Sequence, residues 1–157
     1  PTPTPAIKDG QTAVVSGNSY KVISASAGTI RFTKAGNKKS VTVPATVKIK
    51  GKSLAVTEIG TKAFTGKKIK TVTVGKNVKK IAPKAFKGSK ATKLLIKTKK
   101  LTTKGVKKSL SGSKIKTIKI KVGKKSINKK YVKKYKKYFT KKNAGKKVTV
   151  NRVGGGD

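Results

Sequence analysis

The sequence contains no cysteine, methionine, tryptophan or histidine, and only 3 of its 157 residues are acidic. Without cysteine there is neither a disulfide framework nor a thiolate metal site, and without histidine the commonest metal ligand and general base is missing. Asp9 and Asp157 lie towards the chain ends, so Glu58 alone falls inside the segments predicted to fold. Paired-carboxylate hydrolysis, Ser-His-Asp catalysis and hard-cation binding all lack their residues. We therefore predict a protein that is not an enzyme and has no cofactor and no metal.

Glu58 has two interpretations. In a strongly positive chain we expect its carboxylate to pair with a neighbouring lysine. The alternative is that it promotes a Lys–Asn isopeptide crosslink, as in some bacterial surface domains, and an intact mass lower by one ammonia would reveal such a bond.

Positively charged residues greatly outnumber acidic ones in this chain. The chain has 43 Lys+Arg and a formal net charge of +40, whereas a small domain usually carries a net charge of about 2 to 8 in magnitude. Its arginines are Arg31 and Arg152 alone. Lysine is a compact point charge, while arginine forms the planar fork that reads a phosphate or a guanine edge. The composition favours a diffuse polyanion as partner, unless lysine merely fills the solvent positions of the fold.

The chain also lacks any apolar run of signal-peptide or membrane-spanning length, so we expect no membrane insertion. Residues 1–10 begin with alternating proline and threonine and are predicted to form an extended linker, and residues 154–157 a flexible tail. Such linkers commonly tether modules of secreted bacterial proteins. Because the sequence begins with proline, we expect a piece of a longer or processed protein.

Residues 11–58 show a period of two, which is typical of β-strands separated by short turns. We predict a meander of five or six strands that also caps the next segment at its N-terminal end. The predicted strands cover residues 12–15, 20–25, 29–33, 41–43, 47–49 and 54–56.

Residues 59–122 contain an internal repeat. Ile59-Gly-Thr-Lys-Ala-Phe64-Thr-Gly66 returns after 22 residues as Ile81-Ala-Pro-Lys-Ala-Phe86-Lys-Gly88. A period of about 20 to 29 residues is typical of a solenoid whose units share one apolar face. Three strands align as Ile69-x-x-Val72-x-Val74, Ala91-x-x-Leu94-x-Ile96 and Ile115-x-x-Ile118-x-Ile120. We expect the Ala-Phe pairs to lie on short helical turns, and we interpret the residues around Phe64 as a copy without a strand of its own.

Residues 123–153 follow a different pattern. Apolar residues recur at helical spacing with lysines elsewhere on the wheel, which predicts an amphipathic helix. The apolar positions are Ile127, Tyr131, Val132, Tyr135, Tyr138 and Phe139. We predict Ser126 or Asn128 as the N-cap, Gly145 near the end and a strand over residues 147–150, together closing the C-terminal end of the solenoid.

The order Ile59-Gly-x-x-Ala-Phe64, Val72-x-Val74-x-x-x-Val78-x-x-Ile81 and Ala85-Phe86 resembles the BspA-type leucine-rich repeats of bacterial surface proteins, over about residues 41–122. The chain departs from that pattern at Gly75, Ala82 and Ser109-Leu110. The fold that we predict is mainly β with short helices: a leucine-rich-repeat solenoid of about three units, preceded by a β-meander and closed by an amphipathic helix. The resemblance implies an extracellular or cell-wall-associated protein used for adhesion or interaction, without catalytic residues.

Lysines on the outer faces of the predicted sheet and helix are the candidate binding residues. Strand alternation predicts three exposed columns: Thr71, Lys93 and Thr117; Thr73, Leu95 and Lys119; Gly75, Lys97 and Lys121. The candidate polyanion-binding residues are Lys93, Lys97, Lys119, Lys121, Lys129, Lys130, Lys133, Lys134 and Lys137.

Expected partners are teichoic acid, acidic or sulfated polysaccharides, mucin, or a host glycan or protein. Nucleic acid would bind without sequence preference, and the tyrosines of the helix are expected to pack rather than to stack on bases. Two other functions remain open from the sequence: an ancillary localising or spacer domain of a secreted carbohydrate-active enzyme, and a non-specific nucleic-acid-binding protein.

Overall fold

The structure is a computed structural model that describes residues 6–153. The predicted tail, residues 154–157, and the first half of the predicted linker lie outside this range. The strands and helices are β1 Thr12–Val15, β2 Asn18–Ser24, β3 Thr29–Lys34, β4 Ser40–Val43, β5 Thr46–Ile49, β6 Lys52–Ile59, β7 Thr71–Val74, β8 Lys80–Ile81, β9 Lys93–Ile96, a 3₁₀ turn Lys104–Val106, β10 Thr117–Ile120, α1 Lys125–Tyr138, α2 Lys141–Ala144 and β11 Thr149–Arg152. The predicted class, mainly β with short helices, is confirmed.

The first sheet has the order β1-β2-β3-β6-β5, with the two-residue strand β8 added beside β6. β1, β2 and β3 pair antiparallel as a meander, whereas β3 and β6 run parallel. Residues just before β1 also contact this sheet: Gly10 N donates to Val22 O at 2.8 Å, and Asp9 Oδ1 accepts from Ala25 N at 2.7 Å. Asp9 therefore has a structural role.

The second sheet is parallel throughout and has the order β11-β10-β9-β7-β4. Its strands pair in one constant register, so that Val41, Val72, Leu94, Ile118 and Val150 form one inward-facing row. The prediction that the first repeat copy lacks a strand is wrong, because β4 is that strand. The hairpin β5–β6 is inserted between β4 and the Ala63-Phe64 turn. The insertion changes the spacing between strand and turn, so the repeat is not apparent in the sequence.

The core is continuous from the first sheet to the last repeat. Aromatic rings form a row through it: Tyr20 packs edge-on against Phe32 at 5.3 Å between centroids, Phe32 stacks on Phe64 at 5.4 Å, and Phe64 stacks on Phe86 at 4.7 Å. Leu110 occupies the next buried position. Stacked rings stabilise the fold beyond the free energy that comes from their buried area. The row therefore joins the meander to the solenoid.

The loops opposite the parallel sheet repeat as regularly as the strands. Lys62, Lys84 and Lys108 precede the pairs Ala-Phe, Ala-Phe and Ser-Leu, and all three have positive φ angles of 54 to 60°. Their backbones form a ladder: Lys62 N donates to Lys84 O, Lys84 N to Lys108 O, and Lys108 N to Asn143 O. The left-handed conformation costs a residue with a side chain about 1–2 kcal/mol, so the ladder holds each loop in a form that the lysine alone would not favour. Asn143 and Ala144 supply the loop of a further unit.

The C-terminal segment contains two helices where one was predicted. α1 starts at Lys125 with Lys124 as a cap that makes no side-chain bond, so the prediction of Ser126 or Asn128 as N-cap is wrong. Asn128 lies inside the helix, and its Oδ1 accepts instead from Val122 N at 2.7 Å and Gly123 N at 3.0 Å. The helix α2 ends at Ala144 with Gly145 as its C-cap, and the final strand is β11, Thr149–Arg152, rather than residues 147–150.

The predicted pairing of Glu58 with a lysine is also wrong. Glu58 accepts from Arg31, with 2.8 Å between Oε2 and Nη2 and 2.9 Å to Nε, and these residues oppose each other on β6 and β3. The planar guanidinium presents two N–H groups side by side, so both can reach the same carboxylate oxygen, whereas an ammonium acts as a point charge. No asparagine lines the pocket around Glu58, so the arrangement does not favour the isopeptide interpretation.

Candidate polyanion-binding surfaces

Five of the nine candidate lysines line one shallow, open depression between side chains on the exposed face of α1, which we call the α1 groove. They are Lys129, Lys130, Lys133, Lys134 and Lys137, and Ser126 and Tyr138 complete the lining. Residues four apart lie about 6 Å from each other along a helix axis, so each turn adds an ammonium group. The ammonium of Lys134 also lies 5.3 Å from the centroid of the Tyr131 ring.

The opposite face of α1 fixes the helix to the repeats. Val132, Tyr135 and Phe139 are buried there. The hydroxyl of Tyr135 donates to Thr98 O at 2.7 Å, which connects the helix to the repeat that contains β9. Burial raises the pKa of the Tyr135 phenol well above its ordinary value, so it remains a donor at neutral pH. The lysines of the α1 groove therefore stand on a helix with a fixed position.

The other four candidate lysines lie on the parallel sheet. The strand register confirms the first two predicted columns and lengthens each by two strands. The columns are Ser40, Thr71, Lys93, Thr117 and Thr149, and beside them Thr42, Thr73, Leu95, Lys119 and Asn151. Lys93, Lys119 and Lys121 line a shallow groove, whereas Lys97 is not part of its lining. The candidates thus form two surfaces, one on the sheet and one on α1.

None of these nine lysines has a carboxylate partner within the part of the chain that the structure describes. Over residues 6–153 the ion pair is that of Arg31 and Glu58, and Asp9 accepts a backbone bond. Uncompensated ammonium groups on one surface attract anions and repel each other. Both surfaces therefore suit a polyanion electrostatically.

Residues 6–153 contain neither a metal-binding cluster nor a membrane-spanning helix. Between residues 6 and 153 there is no group of three or more His, Cys, Asp or Glu side chains that could hold a metal ion. None of the helices described is both long and apolar enough to cross a membrane.

Comparison with known proteins identifies the repeats. The family model of the BspA-type leucine-rich repeat region matches residues 28–149 in six copies. The chain belongs to this family. The predicted resemblance is confirmed, but its predicted extent was too short, because the match begins near β3 and reaches β11. Proteins of the BspA-type family are generally bacterial surface or secreted proteins, and leucine-rich repeats typically serve as interaction modules.

A solved structure of a leucine-rich repeat protein from Bacteroides capillosus is similar to this chain. The two share 23% identity, the match covers 69% of this chain and 71% of that one, and the TM-score is 0.48. No curated protein sequence matches the chain.

One lysine cluster was not predicted from the sequence. Lys79, Lys80, Lys100, Lys104 and Lys107 line a groove between two successive repeats, together with Pro83, Thr102 and Gly105. We call it the inter-repeat groove. The sequence carries a partial signal for it, because Val78-Lys-Lys-Ile81 and Thr98-Lys-Lys-Leu101 share one pattern of apolar and lysine residues. Stacking of the repeats brings Lys79 and Lys80 of the first segment and Lys100 of the second to one groove.

Proposed function

We propose that this chain is a non-catalytic interaction module of a bacterial surface or secreted protein, and that it attaches to anionic polymers through the α1 groove. The observation that carries the proposal is the α1 groove itself, in which five lysines share one lining without an acidic residue. Lys93, Lys97, Lys119 and Lys121 on the sheet provide a second area of contact. The expected polymers are teichoic acid, acidic or sulfated glycans and mucin.

The physical basis of attachment is release of counterions. A flexible polyanion lying along α1 meets an ammonium group at each helical turn, and each contact frees condensed cations from the polymer. Lysine carries a point charge and lacks the planar, two-pronged geometry of a guanidinium. Affinity for a polymer therefore depends on the density of its anionic groups more than on their order. Attachment of this kind weakens steeply as salt rises.

Pre-organisation adds to the electrostatic attraction. α1 is bonded to a repeat through Tyr135 and to the turn that precedes it through Asn128, so binding a polymer does not require the helix to be ordered. The rings of Tyr131 and Tyr138 each pack on Tyr135, at 5.5 and 5.4 Å between centroids. Because the tyrosines are engaged with one another, nucleic acid would bind to the α1 groove as a polyanion and not by base stacking.

The test compares two variants that lose the same charge. The first replaces the five lysines of the α1 groove by glutamine, and the control replaces five exposed lysines elsewhere: Lys38, Lys39, Lys48, Lys67 and Lys68. Binding to an array of teichoic acid, acidic and sulfated glycans, mucin and nucleic acid is measured at low and at physiological salt. Intact folding of both variants is checked by circular dichroism.

We expect the α1-groove variant to lose most of its binding, and its plot of log affinity against log salt to become shallower by about 3 to 4 units for five lost contacts. The control should keep most of the affinity and of the slope. Equal losses in the two variants would show that net charge alone drives attachment. Binding by the parent protein that persists in high salt would contradict an electrostatic mechanism.

A further inference from the structure

We propose that the inter-repeat groove is a separate binding site for an aliphatic phosphodiester chain, that is, a polyol phosphate. This inference rests on the proposed function, since it takes attachment to an anionic polymer as given, and it names the chemistry of that polymer and a second site for it. The groove has a volume of about 490 Å³, which lies in the range of small-ligand sites, roughly 300–1,000 Å³.

The two walls of the groove are joined by one buried hydroxyl. One wall is the segment Lys79-Lys80 and the other begins at Lys100. Thr98 is fully buried between them, and its Oγ1 donates to Val78 O at 2.7 Å and accepts from Lys100 N at 3.0 Å. The relative position of the two lysine segments is therefore set by a buried side chain that bonds to the backbone on both sides.

Gly105 allows the two walls to approach each other closely. A Cβ atom at this position would lie 2.7 Å from Lys79 O and 2.8 Å from Thr102 Oγ1, so the backbones approach as closely as they do only because the residue has no side chain. Gly105 N donates to Thr102 Oγ1 at 2.9 Å, and Val106 beside it is fully buried. The groove is thus formed before any ligand arrives.

Five ammonium groups converge on this groove, and no acidic side chain lines it. Within residues 6–153 the two carboxylates are engaged elsewhere, Asp9 with Ala25 N and Glu58 with Arg31. The ammonium of Lys100 donates to Asn77 Oδ1 at 3.2 Å. A concentration of positive charge with no internal counter-charge requires anions from outside the chain.

The rest of the lining indicates which anion fits. The groove has no aromatic side chain, so it offers no surface on which a nucleobase or a sugar ring could stack. Its apolar surface comes from lysine stems, Pro83 and Gly105, which can contact methylene and methine groups. Lysine binds phosphate as a point charge and does not need the planar geometry that a carboxylate offers to arginine. Phosphates separated by short aliphatic units match both features.

The probe is a short oligomer of glycerol phosphate, and binding is measured by calorimetry at physiological salt. Three variants each lose three charges: Lys79→Gln/Lys104→Gln/Lys107→Gln in the inter-repeat groove, Lys129→Gln/Lys133→Gln/Lys137→Gln in the α1 groove, and Lys38→Gln/Lys39→Gln/Lys67→Gln as the remote control. Oligogalacturonate and a single-stranded oligonucleotide serve as carboxylate and nucleic-acid comparison ligands. Melting temperatures confirm that each variant folds.

We expect the inter-repeat variant to bind glycerol phosphate at least about tenfold more weakly than the remote control, while its affinity for the two comparison ligands changes by less than about threefold. A loss no larger than that of the remote control would overturn the inference. An equal loss for oligogalacturonate would overturn the phosphodiester assignment, and an equal loss for the oligonucleotide would overturn the restriction to an aliphatic chain. The α1-groove variant separates the two proposals. If this variant binds all three ligands as well as the remote control does, the proposed function is contradicted, whereas the inter-repeat site is decided by the inter-repeat variant alone.

Discussion

The two ends of the parallel sheet are closed by different kinds of interaction. At the N-terminal end the aromatic row of the repeats continues into the first sheet, where Phe32 stacks on Phe64 and Tyr20 packs edge-on against Phe32. At the C-terminal end the row of stacked rings has stopped, and the helix packs on the core through Val132, Tyr135 and Phe139. Hydrogen bonds add to this packing: the Tyr135 hydroxyl donates to Thr98 O of a repeat, and Asn128 accepts from the turn that leads into α1. The loss of phenylalanine at Leu110 thus coincides with the addition of hydrogen bonds to apolar packing.

The difference shows that the two ends of one solenoid can be closed in different ways. Apolar closure depends on burial and is insensitive to the direction of side-chain groups. Polar closure depends on each buried donor having an acceptor in the right position, because a buried polar group without a partner costs free energy. Substitutions at the two ends should therefore differ in whether a conservative replacement rescues them.

The largest effect is expected for Phe32→Ala at the N-terminal end. Phe32 is fully buried, and removing such a ring typically costs about 3–5 kcal/mol of unfolding free energy. The measurement is chemical denaturation of the variant and of the parent protein.

Phe32→Leu is the control for that result. We expect it to cost less than about 1.5 kcal/mol, since Leu110 already occupies the equivalent position of a later repeat. A loss for Phe32→Ala of less than about 1 kcal/mol would show that this end does not depend on the aromatic row.

A smaller effect is expected for Asn128→Ala at the C-terminal end. This change leaves Val122 N and Gly123 N without their acceptor, and we expect it to lower the unfolding free energy by about 2 kcal/mol. Thermal and chemical denaturation measure the loss.

Asn128→Asp distinguishes loss of the acceptor from loss of packing. The carboxylate can accept both bonds, and a negative charge near the start of a helix is favourable. We expect this variant to recover most of the stability. If it is as unstable as Asn128→Ala, the polar closure of this end is not what holds α1.

The smallest effect, and one of opposite sign, is expected for Ser109→Ala beside Leu110. Ser109 is fully buried and its Oγ has no hydrogen-bond partner, so removal of the hydroxyl should raise the unfolding free energy by about 1 kcal/mol. Ser89→Ala is the matched control, because the buried Ser89 Oγ accepts from Ala91 N at 3.1 Å. That change should destabilise the protein, and two changes of the same sign would refute the reasoning.

Much of the fold could be predicted because the apolar residues that define the repeat are those that face inward. Val72, Leu94 and Ile118 alternate with polar residues, and the same alternation placed Thr71, Lys93 and Thr117 in one column. β4 was assigned to the meander because a period of two is shared by parallel and antiparallel strands, and the inserted hairpin removed the spacing that would have identified it. The apolar face of α1 was predicted correctly, whereas its N-cap was not, since Asn128 bonds backwards to a turn instead of capping the helix.

The candidate surfaces were predictable to a smaller degree. The lysines of α1 share a side because helical spacing alone dictates it, and they line one groove. Those of the inter-repeat groove come from separate repeats, so their proximity depends on how the units stack.

The order of apolar and polar residues by itself determined the strands, their inward faces, the solenoid and the amphipathic helix. Each of these follows from local geometry, two residues per strand period and 3.6 per helical turn, which any short stretch of chain obeys. Only the tertiary structure decided that β4 and β11 complete the parallel sheet, that Arg31 rather than a lysine pairs with Glu58, and that lysines of two repeats meet at Gly105. These features join residues far apart in the chain, and their distances are set by packing, which no local pattern encodes.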